Sequence, residues 1–216
     1  HIQDPKTNHN LFDLIICPKH DNLNKPNSIS TLLALHNIKY DKKIKKNDTI
    51  NFIIGGSNKY FVFNDSTQEN ILNEILYLSK INKVNVIPSR RTSLNLITKL
   101  KKINLKNIKT FEDLFNPKKY GDLLSEANFQ IVTWDSISMI SEAISSESST
   151  YIYPFEENKC PMRYKIFYKS LIDKNLARFY NRDLTEFSIS LTDYNKELKS
   201  KILNKIKSHL WFIINE

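Results

Sequence analysis

Short apolar runs alternate with segments of helical periodicity along most of the chain. The runs have the length of buried strands and lie at 12–17, 49–54, 83–88, 108–111, 129–132 and 151–154. Between and after them, apolar residues recur every three to four positions, which predicts helices at 66–81, 92–102, 120–127, 137–144, 162–174 and 194–212. Ser28–His36 reads as a loop or a short helix. Because strand and helix alternate from residue 48 to 175, we expect an α/β fold with a Rossmann-like, doubly wound parallel sheet.

A glycine pair follows the predicted strand at 49–54. Gly55, Gly56 and Ser57 stand at its end, and the whole chain has only three glycines. Glycine there lets the backbone approach a ligand closely or adopt a positive φ. The spacing matches neither a Walker loop nor the dinucleotide fingerprint, and a plain tight turn is the alternative.

The next strand end carries paired cations. Ser89, Arg90, Arg91 and Thr92 follow Pro88, and the chain has only five arginines. An arginine fork at this place suits a diphosphate or a carboxylate. The alternative is a surface ion pair with a nearby acid.

A third turn lies where the strand at 129–132 gives way to a helix. Asp135 is expected to cap that helix, with Ser136, Ser138 and Met139 in its first turn. A helix that begins at the carboxyl end of a parallel strand points N–H groups into the crevice where open α/β sheets bind ligands. A turn capped only for stability is the alternative. In a parallel sheet all three turns project from one edge, and together they would form a site for an anionic ligand.

Acid–base and metal chemistry have little support in the sequence. His20 and Asp21 are adjacent and could act as a base and its orienting acid, although a role in the turn is the alternative. Cys17 and Cys160 form no disulfide framework or metal-ligand spacing, and no Asp-x-Asp cluster occurs, so we expect no metal. A reducing cytosol fits this cysteine usage.

The composition bounds the class of protein. The 216 residues are 40% hydrophobic and carry a net charge of +9, so a packed domain is expected and nucleic acid is a conceivable partner. The basic residues are mostly lysines scattered among acids, whereas readers of nucleic acid favour arginine and clustered patches, and we expect no nucleic-acid partner. No apolar run is long enough to span a bilayer. The chain opens as though within a fold, which is expected of a fragment or a processed product.

Several motifs together resemble the plant elongated-mitochondria fission-factor family and its uncharacterised bacterial relatives. The matching stretches are His1–Pro5, Phe12–Ile16, Pro18–Asp21, Leu33–His36, Ile54–Ser57, Ser89–Thr92, Asn116–Pro117 and Thr133–Ala143. The Ser-Arg-Arg-Thr and Asp-Ser-x-Ser-Met-x-Ser-Glu-Ala blocks are the most specific of them, and the resemblance covers nearly the whole chain.

That family looks like the two-domain GT-B glycosyltransferases, and the resemblance implies the following expectations. Residues 1–47 would be the tail of an incomplete first domain, 48–190 a nucleotide-sugar-binding domain, and 191–216 a helix that packs back over the domain junction. The substrate would be a nucleotide-diphosphate-sugar, with no cofactor, and Glu142 would accept a hydrogen bond from a ribose or sugar hydroxyl. The location would be cytoplasmic, with a peripheral membrane contact left open. A non-catalytic interaction protein that keeps this fold is the alternative.

Overall fold

The computed structural model describes residues 1–103, 105–111 and 116–215, and these form two compact units. The first unit is His1–Leu35 with the chain from Ser190 onward, and the second is His36–Ile189. The strands are β1 Ile15–Pro18, β2 Ser28–Thr31, β3 Asn47–Ile54, β4 Lys83–Pro88, β5 Ile108–Thr110, β6 Ala127–Thr133, β7 Ser149–Tyr153 and β8 Arg178–Phe179. The helices are α1 Asp65–Leu78, α2 Leu94–Lys102, α3 Pro117–Glu126, α4 Ile137–Ser145, α5 Met162–Asp173 and α6 Thr192–Asn215.

The second unit is built on a parallel sheet. Its six strands lie in the order β5-β4-β3-β6-β7-β8, and every neighbouring pair is parallel. The chain starts at the centre with β3, moves outward to β5, then returns to β6 beside β3 and moves outward the other way. This is the doubly wound order in which ligands bind where the direction reverses. The predicted α/β fold with a doubly wound parallel sheet is therefore confirmed.

Alternate residues of the central strands face opposite sides of the sheet. On one face, β3, β4 and β6 contribute apolar side chains that pack with α1 and α2, among them Ile50, Phe52, Val84, Ile131, Ile71 and Leu96, all fully buried. Burying side chains of this size is the main favourable contribution to folding, at about 1.5–3 kcal/mol each. Because β3 and β6 are buried on both faces, each of them is a short, largely apolar run that could be recognised as a strand in the sequence.

A row of amides crosses the other face of the sheet. The Nδ2 group of Asn51 donates to the Leu123 carbonyl at 2.8 Å and to Gln130 Oε1 at 3.0 Å, and Asn85 Nδ2 donates to Asn51 Oδ1 at 3.0 Å. Gln130 Nε2 in turn donates to the Leu124 carbonyl at 2.9 Å. Asn51 and Gln130 are fully buried. The row ties β4, β3 and β6 to the C-terminal half of α3.

Asn51→Leu is expected to lower the free energy of unfolding by about 3 kcal/mol, because it leaves buried polar groups of three neighbours without their partner. Chemical denaturation of the variant beside Asn73→Leu measures the effect. Asn73 is exposed on α1 and receives the same change of side chain. Equal denaturation midpoints for the two variants would contradict this prediction.

The first unit contains the parallel pair β1 and β2 and the long helix α6. Ile15, Cys17 and Leu23 form its small buried cluster. The backbone N–H of Leu32 donates to the hydroxyl of Tyr194 at 2.6 Å, which joins α6 to the end of β2. The prediction of a loop or short helix for Ser28–His36 is wrong at its start, since Ser28–Thr31 pairs with Ile15–Pro18. Pairing between strands distant in the chain overrides such a weak local pattern.

The compact units divide after Leu35, earlier than the predicted boundary after residue 47. Segment 36–46 packs on α3 and α4: the Tyr40 hydroxyl donates to the Glu142 carbonyl at 2.8 Å and the Asp41 N–H to Ser125 Oγ at 3.1 Å. The backbone of Lys39 crosses α3 so closely that a Cβ on Gly121 would lie 2.0 Å from the Lys39 carbonyl oxygen. These contacts place the segment in the second unit. The assignment of the two units to GT-B domains stays a prediction.

Candidate functional site

The three turns of interest meet at the carboxyl edge of the second unit's sheet. β3 and β6 are neighbours at the reversal of strand order, and β4 lies on the other side of β3. The turn after β3 contains Gly55 and Gly56, and the end of β6 leads to Asp135. The turn after β4 contains Arg91, whose Nη2 lies 2.6 Å from Asp135 Oδ2. The sequence therefore placed these groups at one edge correctly.

A buried carboxylate joins the three turns. Asp135 Oδ2 accepts from the Gly56 N–H at 3.1 Å and pairs with Arg91, while Oδ1 accepts from the Thr133 hydroxyl at 2.7 Å. The Gly55 N–H donates to Thr133 Oγ1 at 2.8 Å. The Asp135 side chain is 0% exposed. The Asp135 carboxylate therefore contacts protein atoms and is not accessible to a ligand.

The glycine pair fits closely against this network. A Cβ on Gly55 would lie 2.0 Å from Asp135 Oδ2, and one on Gly56 would lie 1.9 Å from the Arg91 carbonyl oxygen. No glycine of the described residues has a positive φ, so space and not backbone conformation requires glycine here. The close approach predicted for a ligand is made by Asp135 and the backbone of Arg91.

The Ser89–Thr92 turn is held to the end of β3 by its hydroxyl groups. Thr92 Oγ1 donates to the carbonyls of Ile54 at 2.8 Å and Gly55 at 2.7 Å, and accepts from the Ser89 N–H at 2.9 Å. Arg91 is tied inward, since its Nη1 donates to the Gly56 carbonyl at 2.9 Å. Arg90 is exposed and makes no hydrogen bond or ion pair with any described residue. Arg91 is thus fixed by contacts with the protein, whereas Arg90 is open to solvent.

Helix α4 begins at Ile137, as predicted, but its capping residue differs from the prediction. Its N-cap is Ser136, whose side chain accepts from the Met139 N–H at 3.3 Å, so the prediction that Asp135 caps the helix is wrong. The carboxylate of Asp135 already has three donors around it, which leaves the cap position to the next residue. Ser138 is exposed in the first turn. The N–H groups of residues 137 and 138 precede the capped position and point outward from the helix end.

Glu142 lies in the second turn of α4, against α3. The Tyr120 hydroxyl hydrogen-bonds its carboxyl group, and burial raises the pKa of Glu142 to about 7. Burial also raises the pKa of Tyr40, whose hydroxyl contacts the Glu142 carbonyl. The predicted contact of Glu142 with a sugar hydroxyl stays a prediction, and in this structure a tyrosine takes that place.

A cationic and aromatic group beside the turns was missed in the sequence. The guanidinium carbon of Arg163 lies 5.4 Å from the ring centre of Tyr164 and 5.9 Å from that of Tyr60, and Lys59 Nζ lies 4.7 Å from the Tyr60 ring. Burial raises the pKa of Tyr164, and the Asp135 charge adds to the effect. The group forms because the segment after β3 pairs with the segment after β7, at Phe61 and Glu157. No pattern within either segment predicts this pairing.

Behind these turns lies a packed aromatic cluster. The Trp134 indole stacks on Tyr168 with ring centres 6.0 Å apart and meets the edges of Phe61 and Phe155. The Tyr168 hydroxyl donates to the Trp134 carbonyl. The indole Nε1 is buried, and no described residue accepts its hydrogen bond. The cluster fixes the backbone that leads from β6 to Asp135.

The predicted pair of His20 and Asp21 lies in the first unit, in a short 3-10 helix after β1. His20 is buried, and its Nε2 lies 3.9 Å from Asp21 Oδ1. The catalytic role stays a prediction. Among the described residues there is no group of three or more His, Cys, Asp or Glu side chains that could hold a metal ion.

These observations define an α/β protein with a doubly wound parallel sheet, whose strand-end turns join at the reversal of strand order. Residues 1–206 match the sequence profile of the family described as mitochondrial fission ELM1, and the chain belongs to that family. The resemblance inferred from the sequence motifs is thereby confirmed.

One relative and two solved structures show how far the similarity extends. The chain is 35% identical over 148 residues to the uncharacterized protein RP120 of Rickettsia prowazekii (strain Madrid E), which covers 62% of this chain and 39% of the relative. The chain thus spans less than half of that protein's length. It is also similar to the spinosyn forosaminyltransferase SpnP (13% identity, 81% of this chain, 43% of that chain, TM-score 0.43) and to the glycotransferase of kitacinnamycin (12%, 82%, 44%, 0.48).

Hydropathy was also used in the sequence analysis, where no apolar run was long enough to span a bilayer. Within the described ranges, no helix combines the length and the apolar character needed to cross a membrane.

Proposed function

We propose that the second unit binds a nucleotide-diphosphate-sugar and is the donor-binding part of a GT-B-like glycosyltransferase. The observation that carries the proposal is the meeting of a cationic turn and a helix N-terminus at the reversal between β3 and β6. Ligands of doubly wound sheets bind outside the carboxyl ends of the strands at this place. Diphosphates suit it because oriented N–H groups and cations both favour negative charge.

The groups left accessible at this edge match a diphosphate. Arg90 supplies an exposed guanidinium without a partner among the described residues, and the Arg91 side chain is 37% exposed beyond its contacts with Asp135 and Gly56. Ser138 and the first N–H groups of α4 add hydrogen-bond donors. A guanidinium is a strong partner for phosphate because its N–H groups form charge-assisted pairs. We propose that these cations neutralise the diphosphate without a divalent metal.

Arg90→Ala is expected to weaken the binding of UDP by about 1.5–3 kcal/mol, because it removes a charge-assisted contact. Isothermal titration calorimetry of the chain with UDP, GDP and UDP-glucose, with Mg²⁺ and with a chelator, measures the affinity. Thermal shift gives a second readout, since a ligand at 100 times its dissociation constant stabilises the protein by about 2.7 kcal/mol.

Lys83→Ala is the matched control for this prediction. Lys83 is exposed and begins β4. Its substitution therefore removes one positive charge at the opposite end of the strand that leads to Arg90. Equal losses for Lys83→Ala and Arg90→Ala would indicate a general charge effect and contradict the assignment of Arg90.

A non-catalytic interaction protein is the second candidate. It is favoured by the way in which Gly55, Gly56 and Asp135 are occupied by one another rather than open to a ligand. The same titrations decide between the two: if no nucleotide or nucleotide-sugar binds, the donor-binding proposal is rejected and the interaction role is retained.

A further inference from the structure

Asp135 cannot touch a ligand at this edge, yet it contacts every turn that surrounds the proposed site. Its side chain is 0% exposed, while that of Arg91, its ion-pair partner, is 37% exposed. A buried carboxylate surrounded by donors is stabilised in place, and its partner cation is fixed with it. The position of Asp135 therefore matters for the ligand through the groups that it holds.

The guanidinium of Arg91 is fixed at two points. Nη2 pairs with Asp135 Oδ2 at 2.6 Å and Nη1 donates to the Gly56 carbonyl at 2.9 Å. The Gly56 N–H donates to the same Asp135 oxygen at 3.1 Å, which closes a ring of contacts between the two turns. An arginine held in this way has lost its rotamer freedom before a ligand arrives, and such preorganisation raises affinity.

We propose that Asp135 is a positioning residue of the site, and this inference rests on the proposed nucleotide binding. Asp135 orients the Arg91 fork and holds the Gly55-Gly56 turn closed. The exposed part of Arg91 then meets the diphosphate together with Arg90, which has no partner among the residues that the structure describes. Arg91 is thereby a fixed recognition group, whereas Arg90 contributes an exposed charge.

Removal of the Asp135 charge could also have the opposite effect on the affinity for UDP. A carboxylate near an anionic ligand also repels it, and a role limited to charge would make Asp135→Asn bind UDP more tightly. Asn keeps the shape of Asp and can still accept from the Gly56 N–H, but it loses the ion pair with Arg91. The sign of the change in affinity therefore separates positioning from simple charge repulsion.

The experiment is a double-mutant cycle of Asp135→Asn and Arg91→Gln, with UDP affinity measured by calorimetry. Asp135→Asn is expected to weaken binding about tenfold. The double variant is expected to bind no more weakly than Arg91→Gln alone, because Asp135 acts through Arg91. Asp173→Asn is the control, since it makes the same change at the exposed end of α5, where Asp173 pairs with Lys169.

A spectroscopic readout accompanies the cycle. The side-chain Nε–H resonance of Arg91 is expected to be dispersed in the ¹⁵N-correlated spectrum of the free protein and to move to the exposed-arginine position in Asp135→Asn. If Asp135→Asn does not fold, Arg91→Lys replaces it, because lysine keeps the charge but cannot make both contacts. Arg91→Lys is expected to lose nearly as much affinity as Arg91→Gln.

The results separate the inference from the proposed function. Unchanged or tighter UDP binding by Asp135→Asn, additive losses in the cycle, or full affinity in Arg91→Lys would each overturn the positioning role while nucleotide binding stands. A wild-type chain that binds no UDP would refute the proposed function itself, and the inference with it.

Discussion

Gly55→Ala is expected to destabilise the second unit by about 3 kcal/mol or more, the upper range for overpacking a filled site. The new methyl carbon would lie 2.0 Å from Asp135 Oδ2, an atom that the Gly56 N–H and Arg91 hold in place. Relief requires that the carboxylate move, which leaves the Gly56 N–H and the guanidinium without their acceptor. Denaturant unfolding followed by circular dichroism measures the loss.

A second substitution tests the cause. In Gly55→Ala/Asp135→Ala the clashing carboxylate is absent, so the double variant is expected to lose less stability than the sum of the two single variants. Ser66→Ala is the control, because Ser66 is exposed on α1. Additive losses would mean that Gly55 is required for a reason other than the space taken by Asp135.

The central strands of the sheet and the helices between them could be predicted because their signals are local. Each central strand has an apolar run with alternate residues buried on opposite faces, as at Ile50 and Ile53, and a helix of clear periodicity follows. The two-residue strand β8 lacked any such signal. It exists because Arg178 and Phe179 pair with β7, which only the folded chain provides.

The position of the site in the fold could be predicted from the sequence, but the contacts between its residues could not. Parallel strands bring their carboxyl ends together, so Gly56, Arg91 and Asp135 could be assigned to one edge from the sequence. Whether Asp135 caps a helix or turns inward is not decided by residue type, since a short carboxylate suits both positions. The inward position follows from the space that Gly55 leaves and the donors that surround it. The place of Tyr60 beside Arg163 likewise depends on contact between distant segments.

Glu142 is expected to make the stability of the second unit depend on pH between about 4.5 and 7. Burial raises its pKa from 4.5 to about 7 in the folded protein, so the folded state binds a proton that the unfolded state releases in this range. Stability is therefore highest below pH 4.5 for this group, falls as the pH rises towards 7, and levels off above it. The full difference is about 3 kcal/mol by linkage.

Glu142→Gln removes this dependence, and it separates the two roles considered for Glu142. The variant is expected to be more stable than the wild type at pH 8, because an uncharged amide replaces a charged carboxylate beside Tyr120. Denaturation at pH 5, 6, 7 and 8 measures the slope, with Glu126→Gln as an exposed control on α3. If the variant also binds UDP-glucose with unchanged affinity, Glu142 serves the packing of α3 against α4 and does not contact the sugar. If the stability of the wild type changes with pH as little as that of Glu142→Gln, the group that takes up the proton is not Glu142.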